Sequence, residues 1–144
     1  SRASAASDVY KRQIHYDYYT TIAGIIEKED STNEEFVVPE KLIDLYNDRN
    51  FGRYADSDGN LRVNFIDNND ITGGNSGSPV LNAYGELVGT AFDGNWEAMS
   101  GDIVYEQGLQ RCISVDIRYI LFIIDKYAEA GYLIDEMTIA ESRK

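Results

Sequence analysis

The sequence predicts a mainly β domain that closes on a C-terminal helix, and three observations predict it. Runs rich in Tyr, Thr, Ile and Val recur between short polar turns, and eleven tyrosines stand against only two prolines. Two such runs, residues 79–82 and 86–92, flank Ala83-Tyr84-Gly85, a hairpin signal. Near the end, Asp116 precedes Ile117, Ile120, Leu121, Ile124, Tyr127 and Ala128, the pattern of a capped amphipathic helix.

Taken in order, residues 1–13 (SRASAASDVYKRQ) have no apolar period and read as a leader foreign to the fold. Residues 14–139 form the domain, and 140–144 a tail. Residues 14–26 are rich in Tyr, Thr and Ile and read as strand. The acidic stretch 27–35 is a solvated loop. Pro39 opens a short helix to about residue 48, with Leu42, Ile43, Leu45 and Tyr46 on one side. Asp56-Ser-Asp-Gly-Asn60 suggests a calcium loop, but the glycine is displaced and no glutamate closes it; a turn feeding a strand at 61–66 fits better. A further strand at 110–115 leads to Asp116, and the helix runs from about 117 to 130, with Gly131 as its stop.

The 144 residues suit one domain with its own core. Apolar residues at 43% and charged residues at 26% argue against disorder. A formal net charge of −12 argues against a nucleic-acid partner, because phosphate binding relies on clustered Lys and Arg. The longest apolar run, 120–124, falls far short of the roughly 20 residues that span a bilayer, so a soluble protein is expected. Cys112, the single cysteine, excludes an internal disulfide; its neighbours Ile113 and Val115 favour a buried, inert thiol over a nucleophile. One histidine, one cysteine and no phosphate-cradling loop point to neither metal nor organic cofactor.

The chemistry-bearing segment is DITGGNSGSPV, residues 70–80. Its core, Gly74-Asn75-Ser76-Gly77-Ser78-Pro79, fits Gly-x-Ser-Gly-x-Pro, and each fixed residue has a task in acyl transfer. The serine must project from a tight loop with its own N–H facing the same way. A second N–H, two residues earlier, completes an oxyanion hole. Gly74 permits that backbone turn, Gly77 leaves space beside the nucleophile, and Pro79 sets entry into the next strand. The competing reading is a plain Gly/Ser turn between strands. The order of elements weakens it: loop, hairpin, strand and terminal helix follow the nucleophile in the second β-barrel of chymotrypsin-like double-barrel serine peptidases. Asn75 departs from the digestive enzymes of that class, whose aspartate at this place pairs with a new N-terminus on activation. No such switch is expected here.

A serine needs a general base oriented by a carboxylate. The only histidine is His15, which reads as a strand-end histidine rather than as that base. The base and its acid are therefore expected on a part of the protein outside this chain, which alone should be inactive. An exposed barrel interface would then favour marginal stability or self-association, including a homodimer.

The segments YYTTIAGIIEKED (18–30), FVVPEKL (36–42), FGRYAD (51–56), residues 68–102 around the serine, and VDIRYILFIIDKYAEAGYLIDEM (115–137) together resemble the C-terminal end of the bacterial dipeptidyl-peptidase seven and eleven family. The resemblance implies a chymotrypsin-like catalytic domain with a helical cap. It implies release of dipeptides from the free N-terminus of oligopeptides, in the periplasm or at the cell surface. Carried over by position, Ser76 is the nucleophile, and the N–H groups of Gly74 and Ser76 form the oxyanion hole. By the resemblance, Asp93 helps hold the substrate's amino terminus; its own sequence context, Asp-Gly-Asn, taken alone favours a plain bend, and the resemblance reverses that preference. Gly94 matches the position that separates the two branches. Glycine there brings no charge and leaves room, which implies the hydrophobic-preferring branch. Two alternatives remain at this point: an endopeptidase barrel of the glutamyl-endopeptidase type, and a non-catalytic binding module.

Overall fold

The strand expected from residue 14 ends early. In the computed structural model, which describes residues 17–96, 98, 108 and 110–140, β1 spans Tyr19–Thr21 and the chain turns at once into a helix, α1, Ile22–Glu27. The switch has a packing cause. The Ile22 N–H donates to the Leu61 carbonyl at 3.0 Å, and the Ile22 side chain is 2% exposed, so the turn inserts Ile22 into the core. The leader at residues 1–13, His15 and residues 141–144 lie outside the described residues.

Later elements follow the expected order with small shifts. Helix α2 is Glu40–Asn47, preceded by Pro39, and buries Leu42. A single 3-10 turn, Gly52–Tyr54, brings in Phe51 and Tyr54, both buried. Residues 56–60 form a turn closed by the Asp56 carboxylate, which accepts from the Asp58 and Asn60 N–H groups and from Arg62 Nε at 3.0 Å. That carboxylate is committed to the turn and to Arg62, so the calcium reading finds no support. The remaining strands are β2 (Arg62–Asp67), β3 (Pro79–Leu81), β4 (Leu87–Gly94) and β5 (Cys112–Asp116). The β3–β4 hairpin closes as expected: Asn82 Oδ1 accepts from the N–H groups of Tyr84 and Glu86, and Gly85 takes φ +77°.

The five strands form one antiparallel sheet in the order β1-β2-β5-β4-β3. The chain is thus a mainly-β fragment with C-terminal helices, its sheet open at β1 and β3 among the described residues. Central positions stack across three strands: Phe65 pairs with Ser114 and Ser114 with Ala91, while Asp67 pairs with Cys112 and Cys112 with Gly94.

Asp116 caps α3, Ile117–Phe122, as its position promised, accepting from the Arg118 N–H at 2.9 Å. The helix then widens into a π-helical turn, Ile123–Tyr127, seen in the 2.8 Å bond from the Ala128 N–H to the Ile123 carbonyl. It stops at Glu129, not Gly131. Glu129 adopts φ +56°, and the Ala130 N–H reaches back six residues to the Ile124 carbonyl. Gly131 instead opens α4, Gly131–Asp135, where a Cβ would approach Asp125 Oδ1 to 2.9 Å.

Two buried clusters result. The larger joins Ile22, Leu42, Phe51, Tyr54, Leu61, Val63, Leu121, Phe122 and Ile134, so the helices pack against β2. The smaller joins Val80, Ala91 and Cys112, backed by Phe65, Ile71 and Val88. Gly89 lies between strands too close for any side chain: a Cβ would sit 2.6 Å from the Val115 carbonyl oxygen and 2.7 Å from the Phe65 ring.

Candidate active site

The loop between β2 and β3 is two consecutive tight turns. In the first, the Asn75 N–H donates to the Thr72 carbonyl at 3.1 Å; in the second, the Ser78 N–H donates to the Asn75 carbonyl at 2.9 Å. Each turn has glycine at its third position with positive φ, Gly74 at +96° and Gly77 at +92°. That conformation suits glycine and strains other residues. Open space surrounds the missing side chain at both, so conformation, not room beside the serine, requires glycine at 77.

Asn75 has a task that its place in the motif did not reveal. Its Oδ1 accepts from the Thr72 N–H at 2.8 Å and from Thr72 Oγ1 at 3.1 Å, locking the first turn. The second turn docks on β4: the Gly77 N–H donates to the Ala91 carbonyl at 2.7 Å, and the Ala91 N–H to the Ser78 carbonyl at 2.9 Å. Ser76 stands exposed between these anchors, and its hydroxyl donates to the Phe92 carbonyl at 3.1 Å. Among the described residues, neither the Gly74 N–H nor the Ser76 N–H donates a hydrogen bond.

A bulge in β4 shapes the other wall. Ala91 pairs with Ser114 and Asp93 with Ile113, so Phe92 is the extra residue. Without it, alternation would turn Asp93 onto the face of buried Cys112 and Ser114, where an unpaired carboxylate is costly. With it, Asp93 is exposed and Gly94 takes the place opposite Cys112. The Gly94 N–H donates to Asp93 Oδ1 at 2.8 Å. Burial pushes the Cys112 thiol above its ordinary pKa, in keeping with an inert side chain.

Ser76, Asp93 and Gly94, singled out separately in the sequence, line one cleft of about 230 Å³ with Ile71, Thr72, Gly73, Phe92, Asn95 and Ala98. Gly94 differs from expectation in one respect. It does not leave room: a Cβ there would lie 2.8 Å from Ala98 Cβ and 3.3 Å from Ile71 Cγ2. Asn95, also unremarked in the sequence, clamps this turn to the start of β5. Its Oδ1 accepts from the Arg111 N–H at 2.9 Å and the Ala98 N–H at 3.2 Å, and its own N–H reaches the Arg111 carbonyl at 2.9 Å.

The model of the peptidase S46 family matches residues 7–139. The chain belongs to the peptidase S46 family. It is 63% identical over 131 residues to a dipeptidyl-peptidase 7 of Phocaeicola vulgatus, covering 91% of this chain and 18% of that protein. It is 55% identical over 124 residues to an Asp/Glu-specific dipeptidyl-peptidase of Porphyromonas endodontalis, covering 86% of this chain and 17% of that protein. The crystal structure of Porphyromonas endodontalis DPP11 in complex with substrate superimposes with a TM-score of 0.84 at 54% identity, covering 87% of this chain and 18% of that one. This S46 chain therefore spans less than a fifth of the length of these relatives. Among its described residues, no helix is long and apolar enough to cross a membrane.

Proposed function

We propose that this S46 chain is the nucleophile-bearing, C-terminal part of a serine dipeptidyl peptidase, the second barrel of a chymotrypsin-like catalytic domain. Ser76 Oγ attacks the carbonyl of the second residue of an oligopeptide, and the Gly74 and Ser76 N–H groups stabilise the oxyanion. Asp93 binds the free amino terminus, which fixes the cut two residues in. Gly94 lies beside the second residue's side chain, which is apolar. The general base and its orienting carboxylate come from protein outside this chain, so the chain alone is inactive. The assembled enzyme works in the periplasm or at the cell surface.

One observation carries this reading: an exposed serine whose own N–H and that of Gly74 donate no hydrogen bond within the described fold, beside a cleft edged by an exposed carboxylate. Both amides are exposed on the same tight loop as the serine hydroxyl, so they are free to donate to a substrate oxygen in place of solvent.

A fluorophosphonate probe tests it in the longer protein, with the base-bearing part in place. Labelling at Ser76, abolished in Ser76→Ala, is the expected result. Absence of labelling would favour a non-catalytic module. Labelled protein that cleaves N-acetylated and free peptides equally would favour an endopeptidase.

A further inference from the structure

We infer that Asn75, acting through Thr72, is a positioning residue for the oxyanion hole, holding the Gly74 N–H in the orientation that the reaction needs; this rests on the dipeptidyl peptidase reading above and deepens it. The two amides of the hole are anchored differently. The turn after Ser76 docks on β4 through Gly77 and Ser78, which fixes the serine end. Among the described residues, no hydrogen bond ties residues 72–74 directly to a strand. Gly74 stands in the middle of a turn whose two central residues are both glycine with open space around them, so packing does not orient its N–H. Its φ of +96° is that of a type II turn at the third residue; a type I turn has about −90° there and turns the central peptide over. The Gly73 carbonyl oxygen would then face the way the Gly74 N–H faces now, and it would repel an oxyanion.

The bonds to Asn75 narrow this freedom. Its Oδ1 accepts from the Thr72 N–H at 2.8 Å and from Thr72 Oγ1 at 3.1 Å, while its own N–H donates to the Thr72 carbonyl at 3.1 Å. The ends of the turn are thus joined in both directions, and Gly73 and Gly74 are confined to backbone shapes that keep residues 72 and 75 together. Thr72, Gly73 and Ser76 line the cleft and Asn75 does not, so Asn75 acts through the turn and not on substrate. Its partner lies three residues away, so the arrangement needs no group from elsewhere in the protein. Both side chains are exposed, and such bonds govern the shape of a loop far more than the stability of a fold.

The test uses the longer protein containing this chain, with kcat on a fluorogenic dipeptidyl amide divided by the number of sites that a fluorophosphonate labels to completion. One oxyanion donor is worth about 10²–10³ in kcat, and a donor kept but loosened forfeits part of that, so Asn75→Ala should lower kcat per site about tenfold or more. KM should hold to within about threefold, because the lost interaction belongs to the transition state. The melting temperature should hardly move. Thr72→Val removes one of the two bonds to Oδ1 and should cause a smaller fall; Thr72→Ser, which keeps the hydroxyl, should lose less than Thr72→Val. Adding Thr72→Val to Asn75→Ala should cost nothing further, since the hydroxyl acts only through Asn75. Unchanged kcat per site in Asn75→Ala, or a loss confined to KM or to the number of labelled sites, would overturn the role of Asn75. If Asn75→Ala fails to fold, equal kcat per site in Thr72→Val and Thr72→Ser would overturn it instead. A wild type that neither labels nor releases dipeptides would overturn the functional reading on which the inference stands.

Discussion

The Ser76 hydroxyl donates a 3.1 Å hydrogen bond to the carbonyl of Phe92, the residue that the bulge in β4 adds to the strand. The contact ties nucleophile and cleft wall together without burying the serine. Replacing Ser76 by Ala should therefore change stability by no more than about 0.5 kcal/mol, as exposed sites do. Turnover by the longer protein should fall by about 10⁴-fold or more. Melting curves and kcat on a dipeptidyl amide check both. Retained turnover would place the nucleophile elsewhere.

Asp93 should matter only to substrates with a free amine. Hydrogen bonds to charged groups contribute about 1.5–3 kcal/mol, so Asp93→Asn should lower kcat/KM on such peptides by about ten- to a hundredfold. The slow hydrolysis of N-acetylated peptides should hardly change. Equal losses on both would remove Asp93 from amine recognition.

Gly94→Arg should favour acidic second residues by bringing a cation to the cleft. Its Cβ would meet Ala98 Cβ at 2.8 Å, so a packing loss of about 1–3 kcal/mol should accompany the switch. The measured quantity is the Glu-to-Leu ratio of kcat/KM. A wild type already faster after Asp or Glu would sink the apolar preference itself.

Gly89→Ala should be among the harmful single-methyl additions. The new carbon would lie 2.6 Å from the Val115 carbonyl oxygen and 2.7 Å from the Phe65 ring, and neither strand can retreat without breaking pairing. A loss of about 1–3 kcal/mol in denaturant titrations is expected. A neutral result would mean that the β4–β5 spacing yields easily.

Acid should weaken the turn at Asp56. Burial alone raises that carboxyl's pKa, but the Asn60 N–H, the Arg62 guanidinium and the Asp58 N–H outweigh it and hold the value below ordinary. A depressed pKa in the folded state means that its stabilisation is present above the unfolded value of about 3.9. It is lost as pH falls through the lower folded value. Asp56→Asn should flatten the stability profile in that range, and melts between pH 2 and 5 would show it.

The order of strands and helices was legible because hydrophobic patterning, turn residues and a capping aspartate speak locally. The serine loop was legible for the same reason: two glycines at fixed places around Ser76 serve its backbone conformation. What escaped depends on contacts between distant residues. Residues 22–27 have the β-branched character of a strand, yet Ile22 is drawn into a core that includes Leu61 and the segment coils instead. The helix end shifted from Gly131 to Glu129 because a π-helical turn altered its phase. The bulge at Phe92 has no local signature, though it decides which way Asp93 faces. Gly94 was read as open space, whereas Ile71 and Ala98, distant and nearby in sequence, already fill it.

The separation of the two buried clusters has an evolutionary consequence. Leu61, Phe122 and their neighbours share no member with the group of Val80, Ala91 and Cys112 on which Ile71 rests. Selection can therefore retune the walls around the serine while the larger cluster keeps the scaffold. Two relatives, one named dipeptidyl-peptidase 7 and the other Asp/Glu-specific dipeptidyl-peptidase, are each more than half identical to this chain, as such divided labour would allow.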